Sequence, residues 1–162
     1  MDNKYVKIHS LVRMFAALIA IAAFISMFIA KQAVHPDFDG VVADFSNGAY
    51  FGGTDMWKYG NFISFIGYLL IFVGGLAGLA FVFIDEMIGK DLTKKLSFVV
   101  AGAMLLGAIS LFLFGPLFNG FNGIKQSYNM LNTAAAPIVF GVLAVIAAAC
   151  NAAAPILEEK GY

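Results

Sequence analysis

Charged side chains are scarce in this chain. Only 12% of its 162 residues are Asp, Glu, Lys or Arg, and 61% are hydrophobic, whereas a soluble domain carries about 25% charged residues. This shortage excludes an ordinary soluble domain and predicts an integral membrane protein. Because the net charge is zero, the composition also offers no electrostatic basis for binding nucleic acid.

Cysteine is almost absent as well, and the single Cys150 cannot form an intrachain disulfide. The sequence shows no cysteine–histidine cluster, no phosphate-binding loop and no nucleophile beside a base, so we expect no cofactor, no metal and no catalytic residue. The chain is therefore interpreted as non-enzymatic. Whether the acids of the first long loop bind a cation stays open, because the "DFDG" stretch has too few ligands for an EF-hand.

Four long uncharged runs stand out instead, each long enough to cross a bilayer as a helix. Backbone groups in lipid must bond internally, which favours helices for such runs. Trimmed at turn signals, the runs predict transmembrane helices near residues 11–30, 62–84, 96–115 and 134–156. The loops then cover residues 31–61 and 116–133, with a short turn at 85–95. The predicted fold is an all-α integral membrane protein, in which residues 1–162 form one membrane domain built as a four-helix bundle.

The lysines and arginine of the short loops predict the orientation, because such residues accumulate on the cytosolic side. Seven of them lie at the two termini and in the 85–95 turn, and three lie in the other loops. Both termini are therefore expected in the cytosol, in a plasma or inner membrane, with the two long loops outside. The seven are Lys4, Lys7, Arg13, Lys90, Lys94, Lys95 and Lys160, and the three are Lys31, Lys58 and Lys125.

The 85–95 turn itself carries six charged residues. Gly89 is expected to end the second helix. Asp85 and Glu86 would then face Lys94 and Lys95 across a short helical hairpin. The arrangement predicts a solvated turn that sets the topology.

Small residues recur at helical spacing, as in membrane helices that approach each other closely. Gly74 and Gly78 predict a packing face on the second helix, and Ala144 and Ala148 predict one on the fourth. The fourth helix has more alanine than one contact needs, which suggests association with a second copy of the chain. Asn151 is the only strongly polar residue within it and is expected to hydrogen-bond inside the bundle. Arg13 is expected at the membrane edge, with its charge reaching water.

The first loop contains "GVVADFSNGAYFGGTDMW". Residues 41–45 predict a strand, and Asn47-Gly48 is a typical hairpin turn, so residues 49–52 are expected to return as a second strand. The free edge of this hairpin would be able to pair with another chain. The candidate interaction residues of the loop are Val42, Phe45, Asn47, Gly48, Tyr50 and Trp57.

These patterns predict a non-enzymatic protein with four transmembrane helices that acts in association or assembly. Its expected partners are the lipid bilayer, further copies of itself or the other subunits of a larger membrane complex. The alternative is a channel or transporter component with a pathway between subunits. Such a pathway needs a polar stripe along the helices, and little beyond Asn151 is available for one.

Overall fold

The structure, a computed structural model, describes residues 7–161 and is mostly helical. It contains five α-helices, a short 3₁₀ turn and three two-residue strands within that range. In chain order these are α1 (Ile8–Ile29), β1 (Ala33–Val34), β2 (Val42–Ala43), α2 (Phe62–Ile88), α3 (Lys90–Phe112), α4 (Phe114–Phe121), the 3₁₀ turn (Ser127–Asn129), β3 (Asn132–Thr133) and α5 (Ala135–Glu159).

Four of these helices, α1, α2, α3 and α5, are long and apolar enough to span a membrane. This length and composition indicate an integral membrane protein. Each helix packs against two neighbours, in the cyclic order α1, α2, α3, α5, and α2 barely contacts α5 across the diagonal. The four form a square bundle in which successive helices run in opposite directions.

Small residues recur at the helix contacts of the bundle interior, whereas its outward faces carry large apolar side chains. A Cβ atom at Gly75 would overlap with Cβ of Ala20, so α1 and α2 approach each other closely there. Such close approach is how helices hold together where lipid removes the hydrophobic drive. Among the outward residues are Leu18, Ile29, Val73, Phe83, Leu106, Ile138, Val139 and Val142.

Only Gly89, at φ +86°, separates α2 from α3. The predicted 85–95 turn is therefore helical on both sides of one residue. The expected pairing of Asp85 and Glu86 with Lys94 and Lys95 is wrong, since Lys94 pairs with Glu159 (2.8 Å) and Lys95 pairs with Asp91 of its own helix (2.6 Å). Lys90 pairs with Glu158 (3.3 Å), so Lys90 and Lys94 tie the start of α3 to the end of α5. The physical reason is the square packing, which places α3 beside α5.

At the opposite end, residues 30–61 and 113–134 form a layer that we call the cap. Its three strands make one antiparallel sheet in the order β2-β1-β3. Ala33 pairs with Ala43 on one side and with Thr133 on the other. The first loop and the second loop are therefore joined by backbone hydrogen bonds.

The predicted hairpin is wrong in its second strand and in its turn. Val42 lies on a strand as expected, but β2 pairs with the upstream strand β1 instead of residues 49–52, which form a turn. Asn47-Gly48 is not the hairpin connection, because residues 35–41 connect the two strands. The pairing of Ala33 with both Ala43 and Thr133 makes β1 the central strand. Residues 49–52 do not pair with the outer edge of β2, because the Asn47 side chain bonds to its backbone there.

Candidate binding site

A cavity of about 820 Å³ lies in the cap between the two long loops. Its apolar walls come from Phe38, Val41, Met56, Trp57 and Ile124, and its polar groups come from His35, Lys125, Gln126 and Asn129. The volume is within the range typical of small-molecule sites, and so is the mixture of apolar wall and few polar groups. The cavity is the candidate functional site of this chain.

His35 holds the two walls of the cavity together. Its Nε2 lies 2.6 Å from the carbonyl oxygen of Tyr128, and its Nδ1 accepts a hydrogen bond from the backbone N–H of Asp37 at 3.1 Å. Because Nδ1 is the acceptor, Nε2 must carry the proton and donate to Tyr128. The neutral ring therefore connects the first loop to the second with both nitrogens occupied.

Trp57 forms another part of the wall and is the only tryptophan in the chain. Its ring meets Phe118 of α4 edge to face, with 4.9 Å between the ring centroids. The indole N–H is buried and has no hydrogen-bond partner within residues 7–161. An unpaired buried donor is unusual in folded proteins, and here it belongs to a residue of the cavity wall.

Lys125 is exposed at the cavity, and no carboxylate of the described residues lies within 4.0 Å of its ammonium group. Gln126 also lines the cavity, and its Oε1 accepts hydrogen bonds from the hydroxyl of Tyr128 and from Asn129 Nδ2. None of the described residues that line the cavity is acidic. The polar part of the described wall therefore carries one positive charge and no negative charge.

Beneath the cavity wall, Tyr50 anchors the cap to the bundle. It is buried edge to face against Phe114 and beside Tyr68 of α2. Burial raises the pKa of Tyr50 well above its ordinary value, with a smaller contribution from Tyr68. The Tyr68 hydroxyl donates to Gln32 Oε1 at 2.9 Å, and Gln32 Nε2 donates to the carbonyl of Ala30 at 2.9 Å. This buried network connects the cap to the helices.

The loop residues predicted to form an open strand edge are arranged differently. Asn47 Nδ2 donates to the carbonyl of Val42 at 2.6 Å, and Asn47 Oδ1 accepts from the N–H of Asp44 at 2.8 Å. The two groups lie on the free side of β2, where a further strand would pair. The Asn47 side chain takes the place of that strand, so the edge is covered locally. Gly48, at φ +79°, continues this turn, and Phe45 packs against Phe28 of α1.

The helix residues predicted as interaction candidates are all used within the chain's own bundle. Gly74, Gly78, Ala144, Ala148 and Asn151 are buried. The expected spare alanine face of the last helix is wrong at these positions, because α5 contacts both α1 and α3 and needs small residues on two sides. Its outward face carries valine and isoleucine, which suit lipid.

Arg13 does not lie exposed at the membrane edge, where the sequence predicted it. It is only 1% exposed, and its Nη1 donates to the carbonyl of Gly78 at 3.3 Å and to Ser97 Oγ at 3.2 Å. The guanidinium carbon also lies 5.4 Å from the ring centroid of Phe81. The helical spacing of Arg13 with Ala16, on the same face, was the signal that it points inward.

The first-loop acids do not form a cation site within the described residues, where no group of three or more metal-ligating side chains occurs. Asp44 instead accepts hydrogen bonds from Ser46 and from the N–H of Asn47. Asp37, Asp39 and Asp55 are exposed. The acids therefore serve local turns or face solvent.

In comparison with known proteins, no family model, no curated protein and no solved structure matches this chain.

Proposed function

We propose that this chain is a non-enzymatic membrane protein that acts by association, with itself or as a small subunit of a larger membrane complex, and that the cap carries the contact. Both termini lie in the cytosol in this proposal, so the cap faces outward from a plasma or inner membrane. The positive charge at the termini and around Gly89 supports this orientation.

The observation that carries the proposal is the apolar rim of the cavity. Phe38 is 61% exposed, Met56 is 60% exposed and Tyr128 is 64% exposed. Phe38 and Met56 line the cavity, and the Tyr128 backbone binds His35 at its edge. Aromatic residues and methionine are enriched in protein interfaces, and a cluster of them around a concave surface is typical of a recognition site.

The helix faces give less support to association inside the membrane. Most of the small residues make contacts within the chain, and the outward faces carry mainly large aliphatic and aromatic side chains that lipid can cover. A helix pair without small residues at its contact gains little from close approach. The cap is therefore the better candidate surface.

The alternative, a channel or transporter component with a pathway between subunits, has weaker support, because the outward helix faces that would line such a pathway carry large apolar side chains. A conduit through a single subunit is no better supported. The buried polar groups of the described interior lie towards the two ends of the bundle, around Arg13 and around Tyr68. Between them the buried residues are apolar, as at Ala20, Ile71 and Ala108. A polar conduit through one subunit would need hydrogen-bonding groups across this middle layer.

A photo-crosslinking residue at Phe38 tests the proposal in native membranes. We expect a discrete protein adduct, whose mass tells a second copy of the chain from a different subunit. The matched control is the same residue at Leu106, which is 64% exposed on α3 and should yield no discrete protein adduct. Equal products at the two positions, or none at Phe38, Met56 and Tyr128, would overturn the role of the cap.

A further inference from the structure

We propose that the cap cavity binds a single-chain amphipathic anion, an apolar tail that ends in a carboxylate, with the carboxylate at Lys125 and the tail against the apolar wall. This site shares the cap with the proposed association but stands without it, because the ligand needs only the cavity of one chain.

The walls match the tail of such a ligand. Phe38, Val41, Met56 and Ile124 present aromatic, aliphatic and thioether surface without charge. Transfer of an apolar chain from water to such a wall gains roughly 0.8 kcal/mol for each buried CH₂ group. The cavity volume of about 820 Å³ leaves room for a tail to bend inside it.

The charges match the head. Lys125 is the only formally charged side chain on the described cavity wall, and it lacks a carboxylate partner within the described residues. The described lining contains no acidic side chain that would repel an anion. A carboxylate would pair with the Lys125 ammonium group, and charge-assisted hydrogen bonds are about twice as strong as neutral ones.

His35 does not compete for the anion in this geometry. Its Nδ1 accepts from Asp37 N–H, and its Nε2–H donates to the Tyr128 carbonyl. The ring has no free donor for the ligand and is uncharged in this arrangement. The acidic neighbour on its own loop, Asp37, is exposed and is not part of the cavity wall. Recognition of the head therefore depends on Lys125.

The place of the cavity suits a ligand from the membrane surface. The first loop of the cap connects the end of α1 to the start of α2, and both helices are long enough to span the bilayer. The cavity then lies at the level of the membrane–water interface, where single-chain amphiphiles accumulate. An amphiphile would enter the cavity from there without crossing bulk water.

Trp57 makes the site directly measurable, because it is the only tryptophan and lies in the cavity wall. The purified chain would be placed in nanodiscs of zwitterionic lipid at pH 8 and titrated with a brominated long-chain carboxylic acid. We expect saturable quenching of tryptophan fluorescence. The brominated alcohol of the same length should bind about tenfold more weakly, because it lacks the charge.

The variants are Lys125→Met, Lys125→Arg and the control Lys31→Met. Lys31 is an exposed cation of the same cap that does not line the cavity. We expect about tenfold weaker binding in Lys125→Met, with little change in the other two. Thermal unfolding of each variant would verify that the fold is retained.

Non-saturable quenching that is equal for acid and alcohol, or equal in the parent and Lys125→Met, would show simple partition into lipid and overturn the proposal. So would binding of an apolar peptide with a free carboxyl terminus in the absence of acid binding, since the occupant would then be a protein. Neither result depends on crosslinking at Phe38, so a failure here is distinguishable from a failure of the association proposal.

Discussion

Arg13 Nη1 lies 3.2 Å from Ser97 Oγ inside the helical bundle. The same nitrogen donates to the carbonyl of Gly78, so one arginine of α1 connects α2 and α3. No carboxylate of the described residues lies within 4.0 Å of Arg13, although Glu158 and Asp85 are close enough to attract it. A buried cation held mainly by dipoles and one aromatic ring is a strong constraint on how the helices fit together.

Arg13→Ala is expected to destabilise the bundle by about 2–4 kcal/mol, because it removes two hydrogen bonds and leaves a cavity. Ser97→Ala removes one of these bonds and should cost about 1 kcal/mol. Thermal or denaturant unfolding in mild detergent measures both. Ser127→Ala, at an exposed position of the cap, is the control and should match the parent. An Arg13→Ala protein as stable as the parent would show that the guanidinium contacts contribute nothing.

Gly78→Ala should destabilise the bundle by roughly 1–3 kcal/mol through overpacking, because the new Cβ would overlap with the Asn151 side chain. Gly102→Ala is the matched control, since nothing lies within 4 Å of a Cβ there. That change should be neutral or stabilise α3 by up to about 1 kcal/mol. The double variant Gly78→Ala with Asn151→Ala should recover part of the loss. Equal unfolding midpoints for the two single variants would contradict the contact between Gly78 and the Asn151 side chain.

The helices could be predicted from the sequence because a long uncharged run is a direct consequence of the bilayer. The positions of the charged residues and of the turn signals were enough to predict the four spans. Arg13 was misjudged because the end of an uncharged run was taken as the end of the buried segment, while α1 begins earlier, at Ile8. The polar partners of Arg13 lie 65 and 84 residues further along the chain, and no local pattern indicates them.

The cap could be predicted only in part. The strand at Val42 has a local signal, but its sheet has two-residue strands, and one comes from the second loop. The pairing of such short strands depends on how the helices align, so its register cannot be predicted from the neighbouring residues. Asn47-Gly48 has the composition of a hairpin turn, yet the Asn47 side chain bonds to β2 instead. The cavity was missed because its walls come from both loops.

Asn47→Ala is expected to open the outer edge of β2. The carbonyl of Val42 and the N–H of Asp44 would lose their partner, at a cost of about 1–2 kcal/mol. Hydrogen exchange of the Asp44 amide should accelerate, and mass spectrometry of peptides from residues 41–50 measures this. Asn129→Ala is the control, because that side chain is exposed and bonds only to Gln126 within the described residues. Unchanged exchange at Asp44 would mean that the edge is protected by another contact.

Glu158→Gln is expected to cost more stability than Glu159→Gln. Glu158 is 11% exposed at its side chain, pairs with Lys90 and lies near Arg13, whereas Glu159 is half exposed where it meets Lys94. Loss of the buried charge of Glu158 should lower the free energy of unfolding by about 1 kcal/mol, and loss of the exposed pair should lower it by less than about 0.5 kcal/mol. Unfolding in low and high salt separates the two, because salt screens the exposed pair more strongly. A larger effect at Glu159 would reverse this assignment.

The orientation of the bundle is testable by cysteine labelling in a Cys150→Ala background. Ser46→Cys lies exposed in the cap and Lys95→Cys lies exposed near the Gly89 turn, so a membrane-impermeant maleimide can reach each from its own side. If both termini are cytosolic, Ser46→Cys reacts in intact cells and Lys95→Cys reacts only after permeabilisation. Positions on glycine are less suitable, because Gly48 and Gly89 have positive φ angles that a side chain would strain. Labelling of Lys95→Cys in intact cells would show that the topology is the opposite one. The cap cavity would then lie in the cytosol, and the outer membrane surface would not be the source of its ligand.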